Sequence, residues 1–257
     1  MVNLAIDPIK TTQQIVGFIK RTLPKTGFNS LVVGLSGGID SAVSCTLAVR
    51  ALSAGNVYPC LFPYGTLNKE GLDDAQSVID TLAIPRENVM IIDIKQFVDP
   101  FTDTDSTMDN LRRGNVMVRM RMLLLFDQAK KRNALVLGTE NKTERLLGYY
   151  TRFGDEASDI EPIIHLYKTQ VSQLAKHLKL PEKIIAKSPT AGMWHGQTDE
   201  GEFGFTYQEA DKILHLFVDK KKFTEDIARI GFPKATIDKV LERMRVNQFK
   251  YNLPYTF

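Results

Sequence analysis

Short apolar runs rich in β-branched residues recur along the first part of the chain, at residues 30–35, 56–62, 88–93 and 134–138. They lack the strict alternation of apolar and polar side chains typical of a half-exposed strand, so they predict strands covered on both faces. Longer segments with apolar residues at helical spacing lie between them, at about 40–53, 71–83 and 108–131. Strands joined through helices of this length predict a doubly wound α/β fold with a parallel sheet.

Helical patterns occupy both ends of the chain. Asp7 and Pro8 mark a helix start, because proline is favoured at the first helical position, and apolar residues follow at helical spacing. In the C-terminal part, helical patterns cover residues 168–179, 207–218 and 233–246. A polar, glycine-containing stretch at 188–205 separates the first two of these patterns. The sequence therefore predicts a helical C-terminal part beside the sheet.

Composition narrows the class of protein. Hydrophobic residues at 43% and charged residues at 25% of 257 are ordinary for a globular chain. The sequence lacks an apolar run that could cross a bilayer and a secretory signal, so we expect a cytoplasmic protein without membrane association. The net charge of +3 is small, and the basic segments 130–133 and 219–223 are interpreted as solvated faces rather than a nucleic-acid surface. Cys45 and Cys60 form no CxxC pair, which argues against thiol chemistry.

The first predicted strand runs into a small-residue loop, VVGLSGGIDS at 32–41, and then into a predicted helix. Adjacent glycines let backbone N–H groups turn toward an anion, and the helix N-terminus adds partial positive charge, so the loop suits a phosphate or pyrophosphate. The chain contains neither GxxxxGK[ST] nor GxGxxG, which disfavours kinase and dehydrogenase chemistry. Asp40 at the helix start either stabilises the helix dipole or binds Mg²⁺ against bound phosphates.

SGGIDS at 36–41 resembles the pyrophosphate-binding loop of the N-type ATP pyrophosphatases. Three further blocks, in the same order, resemble NAD synthetases: GNVMVRMRM at 114–122, GTENKTE at 138–144 with GYYTRFGD at 148–155, and KSPTA at 187–191 with GQTDE at 196–200. Val118 departs from the pattern, where alanine is usual. The resemblance extends over roughly residues 10–255.

The resemblance implies a Rossmann-like fold of the adenine nucleotide alpha hydrolase type, with one domain over residues 1–257. It implies ATP-dependent amidation of deamido-NAD with ammonia to give NAD, AMP and pyrophosphate through an acyl-adenylate. Only about ten residues precede the synthetase-like region, so we expect no glutaminase domain. The family is also expected to form a homodimer that completes the dinucleotide site.

The resemblance assigns site residues as well. The expected ATP-binding residues are Gly34, Leu35, Ser36, Gly37, Gly38, Ile39, Asp40, Ser41, Thr139, Lys168 and Thr190. The expected deamido-NAD-binding residues are Arg119, Arg152, Asp159 and Lys250. The expected catalytic residues are Asp40, Glu144 and Lys168, with Asp40 and Glu144 binding Mg²⁺. Many relatives have His-Lys-Arg where this chain reads Phe249-Lys250-Tyr251, so the histidine contact is absent or replaced.

Other interpretations remain open from the residues alone. Glu144 and Asn141 are also typical of the first turn of a helix. Another ATP pyrophosphatase, such as a GMP synthetase-type or tRNA-modifying enzyme, would share the loop, and so would a non-catalytic adenine-nucleotide sensor. The segment 192–205 contains four glycines and several acids, so we predict a lid that becomes ordered when both substrates bind.

Overall fold

In the computed structural model, which describes residues 2–251 and 254–256, a parallel sheet forms the centre of the molecule. Its strands are β1 (Leu31–Gly34), β2 (Val57–Leu61), β3 (Met90–Ile91) and β4 (Leu135–Leu137). Their order is β3-β2-β1-β4, with Leu31 opposite both Val57 and Leu135. Because the chain proceeds outward from β1 to β3 and then returns to the other side of β1, the strand order reverses between β1 and β4. Ligands of such sheets bind at this switch point, beyond the carboxyl ends of the strands.

Helices cover the sheet and form the C-terminal part. They are α1 (Pro8–Thr22), α2 (Ile39–Leu52), α3 (Lys69–Thr81), α4 (Lys95–Thr102), α5 (Asn110–Arg132), α6 (Lys142–Leu147), α7 (Lys168–His177), α8 (Glu182–Ala186), α9 (Asp199–Phe203), α10 (Tyr207–Leu214), α11 (Thr224–Arg229) and α12 (Lys234–Val246). A π-helical turn, His215–Asp219, continues α10. The helices predicted from periodicity are confirmed. The pattern did not predict α4, α6, α8, α9 and α11, which are shorter than the window of about 11–18 residues over which helical periodicity is recognised.

The central strand explains why the apolar runs showed no alternation. Leu31 and Val33 are fully buried in a core shared with α1, α2 and α7, whereas Val32 is fully buried in a core on the opposite face with α4 and α5. Successive side chains of a strand point to opposite faces, so a strand covered on both sides needs apolar residues throughout. The predicted doubly wound α/β fold is confirmed.

The C-terminal helices form a core of their own. Phe203, Tyr207, Ile213 and Val240 are buried there with the start of the chain and with Leu147 at the end of α6. This helical layer therefore packs beside the β4 end of the sheet. None of the helices within the described ranges combines the length and hydrophobicity that a bilayer span requires.

Candidate active site

The loop between β1 and α2 is held in one conformation by close packing and hydroxyl hydrogen bonds. Gly37 has φ +82°, and a Cβ built there would lie 2.1 Å from the carbonyl oxygen of Gly71. Ser41 Oγ donates to the carbonyl oxygen of Gly38 at 2.9 Å and accepts from the Ser36 amide at 3.3 Å. Only glycine satisfies both the positive φ and the close approach at position 37.

This loop leaves the N-terminus of α2 open to an anion. The N-cap residue is Gly38, which has no side chain to bond the first amides of the helix. Asp40 and Ser41, in the first turn of α2, line a large cavity at the carboxyl edge of the sheet. Uncapped amides and the helix dipole favour negative charge at such a position.

A buried cation lies between two carboxylates in front of this helix. Lys168 Nζ, at the start of α7, donates to Glu144 Oε1 at 3.0 Å and to Asp40 Oδ2. Asn141 Nδ2 donates to the other oxygen of Asp40 at 2.9 Å, while Asn141 Oδ1 caps α6 through the amides of Thr143 and Glu144. Lys168 is 6% exposed, whereas the side chains of Asp40 and Glu144 are 16% and 17% exposed, so the ammonium group is buried and the carboxylates border the cavity. The structure thus brings together the three predicted catalytic residues.

The charges in this cluster depend on one another. Burial raises the pKa of Glu144, and the opposing charge of Lys168 offsets only part of that increase. Burial alone lowers the pKa of Lys168, but Asp40 and Glu144 outweigh it and raise this pKa above its ordinary value. Two carboxylates that share one ammonium group keep it charged although it is buried. Lys168 therefore remains a cation that can bind phosphate oxygens.

Asp211 on α10 holds the starts of α6 and α7 together. Its carboxylate is fully buried and accepts from Thr143 Oγ1 at 2.6 Å and from the Thr169 amide at 2.8 Å. Thr143 Oγ1 in turn accepts from the Lys168 amide at 2.9 Å. The helical C-terminal part thereby fixes the positions from which Glu144 and Lys168 reach the cavity.

A second buried carboxylate, Asp199 at the start of α9, is 3% exposed. It accepts from the hydroxyl groups of Tyr149 at 2.9 Å and Tyr207 at 2.8 Å. Burial, and then the charges of Glu144 and Asp199, raise the pKa of the Tyr207 hydroxyl well above its ordinary value, so it remains a hydrogen-bond donor. The sequence reasoning included Asp199 in a motif but gave it no role.

The burial of Asp199 changes the predicted extent of the lid, which was residues 192–205. We expected its acids to disfavour burial, and Glu200 and Glu202 are exposed, but Asp199 is buried, and Phe203 and Phe205 are each 6% exposed within the C-terminal core. The tyrosine hydrogen bonds compensate the cost of burying the carboxylate. Residues 199–205 therefore belong to the helical layer, and the segment over the cavity is instead 188–198, where Met193 and Trp194 line the cavity wall.

The cavity has a volume of about 700 Å³ and opens at the ends of β1, β2 and β4. Most of the predicted residues line it: Gly34, Leu35, Ser36, Gly37, Gly38, Asp40, Ser41, Thr139, Glu144, Lys168, Thr190 and Lys250. Ile39 does not. Lys250 Nζ donates to the carbonyl oxygens of Gly148 at 2.6 Å and Tyr150 at 2.9 Å, which holds the C-terminal segment against the cavity wall.

The other three residues assigned to deamido-NAD lie outside the cavity wall. Arg119 is exposed, and its Nε and Nη2 donate to the carbonyl oxygen of Arg152 at 3.2 and 3.1 Å. Asp159 Oδ2 accepts from the Val136 amide at 2.7 Å beside β4. The two arginines are therefore neighbours on the surface, and the roles assigned to all three residues stay predictions.

Several cavity-lining groups had no predicted role. Lys187 pairs with buried Asp74 at 2.8 Å, and Arg243 lies over the rings of Tyr149 and Phe203. Arg121, on α5, also faces the cavity. Their positions depend on contacts between distant segments, and for Lys187 and Arg121 the only sequence signal was membership of the quoted motifs.

A glycine loop at the switch point of a parallel sheet, joined to a buried cluster of charges, defines a Rossmann-like α/β protein built to bind an anionic, nucleotide-sized ligand. The family model for NAD synthase matches residues 11–254. The chain belongs to the NAD synthase family. Among curated relatives, the NH(3)-dependent NAD(+) synthetase of Chlorobaculum parvum is 45% identical over 240 residues, which cover 93% of this chain and 86% of the relative.

Solved structures agree with this assignment. A structure described as NMN synthetase from Francisella tularensis has a TM-score of 0.85 and 33% identity, covering 98% of this chain and 99% of that one. An NH3-dependent NAD synthetase from Campylobacter jejuni, in complex with the nitrate ion, has a TM-score of 0.83 and 34% identity, covering 98% and 100% of the two chains. The fold is therefore the Rossmann-like adenine nucleotide alpha hydrolase fold of these enzymes.

Proposed function

We propose that this chain is a ligase that converts deamido-NAD, ATP and ammonia to NAD, AMP and pyrophosphate, the final step of NAD biosynthesis. The observation that carries the proposal is the meeting of the uncapped α2 N-terminus with the Asp40–Lys168–Glu144 cluster inside one cavity. A triphosphate needs both parts, because amides and cations must stabilise the charge that spreads over the phosphate oxygens during transfer.

The reaction has two steps. A carboxylate oxygen of deamido-NAD bonds to the α-phosphorus of ATP, and the bond from that phosphorus to pyrophosphate breaks. Ammonia nitrogen then bonds to the activated carbonyl carbon, AMP leaves with the former carboxylate oxygen, and one proton is released. Lys168 and the α2 amides hold the phosphates, and Thr139 and Thr190 supply hydroxyl groups at the cavity wall. The covering segment 188–198 limits access of water to the acyl-adenylate.

Mg²⁺ fits the donor set as a cofactor. Asp40 and Glu144 provide hard oxygen ligands on either side of one cation position, which Lys168 now shares. The described residues contain no cluster of three or more side chains that could bind a metal by themselves. Mg²⁺ prefers such partial protein sites, because phosphate oxygens and water complete its shell. When bound, the ion would neutralise phosphate charge, with Asp40 and Glu144 as its protein ligands.

We infer that the chain forms a homodimer that completes the dinucleotide site. Arg119 and Arg152 lie outside the cavity wall but close to each other, which suits a site completed by a second copy. Apolar side chains on α5 remain open to solvent, among them Leu111 at 59% and Leu123 at 56% exposure. Apolar faces of this kind are typical of interfaces. The cytoplasmic location expected from the sequence stays a prediction.

The test is a purified-protein assay for pyrophosphate and NAD with deamido-NAD, ATP, MgCl₂ and ammonium chloride. We expect both products in equal amounts and no reaction when any component is left out. Xanthosine monophosphate in place of deamido-NAD tests the GMP synthetase-type alternative, and glutamine in place of ammonium tests for a second nitrogen source. Pyrophosphate release that does not depend on deamido-NAD would contradict the proposal, and ATP binding without turnover would favour a sensor.

One comparison favours a second candidate, the same amidation on a mononucleotide. The structural likeness to the protein described as an NMN synthetase is as strong as that to an NAD synthetase, with TM-scores of 0.85 and 0.83. Both substrates present the same pyridine carboxylate, so the cluster around Lys168 would serve either. Comparing kcat/KM for the mononucleotide and the dinucleotide separates the two, and a preference of more than tenfold for the mononucleotide would replace deamido-NAD as the substrate.

A further inference from the structure

Arg121 is a cation in the cavity wall whose hydrogen-bonding capacity is largely unused. It is a residue of α5, and its Nε donates to the carbonyl oxygen of Phe62 at 3.2 Å, just beyond β2. Among the described residues this is its one hydrogen bond, and none of the described ion pairs includes it. A guanidinium has five N–H donors, so most of them are free to bind a ligand.

The surroundings make a free guanidinium costly. Burial lowers the pKa of Arg121 to about 10, and the charge of Asp155, another cavity-lining residue, opposes that decrease without forming an ion pair. Asp155 is itself engaged, because it accepts from the Thr151 amide at 2.7 Å. A charge that is partly removed from water and left without an ion-pair partner is unfavourable unless a ligand provides the counter-charge.

Other arginines on the same helix differ in this respect. Arg112 pairs with Asp105 at 2.6 Å, and Arg132 donates to the Glu87 carbonyl oxygen at 3.1 Å while lying over the Tyr58 ring. Arg119 uses two nitrogens on the Arg152 carbonyl oxygen. Arg121 thus combines a place in the cavity wall with free donors.

We propose that Arg121 binds an anionic group of a bound substrate, a carboxylate or a phosphate, inside the main cavity. This inference rests on the proposed function, which supplies substrates with both groups. The planar fork of a guanidinium matches two oxygens of either group. Val118, Met122 and Leu125 line the cavity from the same helix and provide apolar surface for the aromatic ring that carries or adjoins the anion.

The test measures the Kd of four proteins for ATP, deamido-NAD and NAD by calorimetry, without turnover. The proteins are wild type, Arg121→Met, Arg121→Lys and the control Arg132→Met, which removes an arginine of the same helix outside the cavity. We expect Arg121→Met to weaken at least one ligand by about 10- to 100-fold, Arg121→Lys to restore part of that loss, and Arg132→Met to change none.

The pattern among ligands identifies the group. NAD differs from deamido-NAD in having an amide in place of the carboxylate, so weakened deamido-NAD binding with unchanged NAD binding assigns the carboxylate. Equal weakening of both assigns a dinucleotide phosphate, and weakening of ATP alone assigns an ATP phosphate. A purely structural Arg121 predicts a lower Tm for Arg121→Met without ligand, whereas our proposal predicts an unchanged or higher Tm, because a partly buried charge without an ion-pair partner is removed.

Two results would overturn the assignment, and they are distinguishable. If wild type binds these ligands and Arg121→Met binds all of them within twofold, Arg121 does not hold an anion, and the proposed function is unaffected. If wild type itself binds neither ATP nor either dinucleotide, the proposed function fails, and the role of Arg121 fails with it.

Discussion

Replacement of Asp211 by alanine is expected to loosen the active site from outside the cavity. The Asp211 carboxylate is fully buried and accepts from Thr143 Oγ1 at 2.6 Å and the Thr169 amide at 2.8 Å. These bonds fix the first turns of α6 and α7, which carry Glu144 and Lys168. The substitution therefore removes support from Lys168, which binds phosphate in the proposed mechanism, and from Glu144, which would bind Mg²⁺.

The magnitude follows from the contacts. Two hydrogen bonds to a charged acceptor contribute about 1.5–3 kcal/mol each, or about 3–6 kcal/mol together. Burial raises the pKa of Asp211, because the charged carboxylate loses its hydration in the core. The alanine variant does not have this desolvation cost, so part of the lost hydrogen-bond energy is offset. We therefore expect a net loss of about 3 kcal/mol of unfolding free energy, equivalent to roughly 6–12 °C in Tm for a chain of this size.

Thermal unfolding and steady-state pyrophosphate release measure the two effects. Asp211→Asn is the conservative variant, since its amide can accept from Thr169 and donate to Thr143, and it should recover at least half of the lost stability. Asp238→Ala, at an exposed position on α12, is the matched control and should stay within about 0.5 kcal/mol of wild type. For Asp211→Ala we expect kcat to fall about 10- to 100-fold, because misplaced groups lose alignment with the phosphates. Unchanged Tm and kcat in Asp211→Ala would refute this reasoning.

Further expected outcomes concern the metal, the loop, the interface and the covering segment. Asp40→Asn should retain its far-UV circular dichroism and lose about 100-fold or more of its turnover at every MgCl₂ concentration, since the charge facing the ion is gone; near-normal turnover would exclude the metal role. Gly37→Ala should cost about 1–3 kcal/mol and weaken ATP binding, given φ +82° and a carbonyl oxygen 2.1 Å from the new Cβ, whereas Gly55→Ala meets no atom within 4 Å; equal Tm values would contradict this. Sedimentation should give about twice 29.0 kDa for wild type and a smaller mass for Leu123→Glu, and a fully active wild-type monomer would remove the dimer. Hydrogen exchange at 188–198 should slow when ATP and deamido-NAD are both bound; high protection without ligands would show a rigid loop.

The sequence by itself determined the layers of this protein and the location of its phosphate loop. Apolar runs such as residues 30–35 lack alternation because both faces of the strand are buried. This pattern is visible in the sequence without knowledge of the fold. The roles of Gly37 and Gly38 also depend on adjacent residues only: Gly37 forms a turn with positive φ, and Gly38 leaves the start of α2 without a side-chain cap. The order of the motifs then pointed to the family.

Only the tertiary structure decided which charges meet. Asp40 and Lys168 are 128 positions apart, and the reversal of strand order beside β1 brings them into contact. Asp199 looked like an exposed lid residue, yet two tyrosine hydroxyls allow its burial. Arg119 and Arg121 share one motif but point to different surroundings, because residues two apart on a helix do not share a face. Partners of buried polar groups come from distant segments, so their identity depends on packing that a local pattern does not encode.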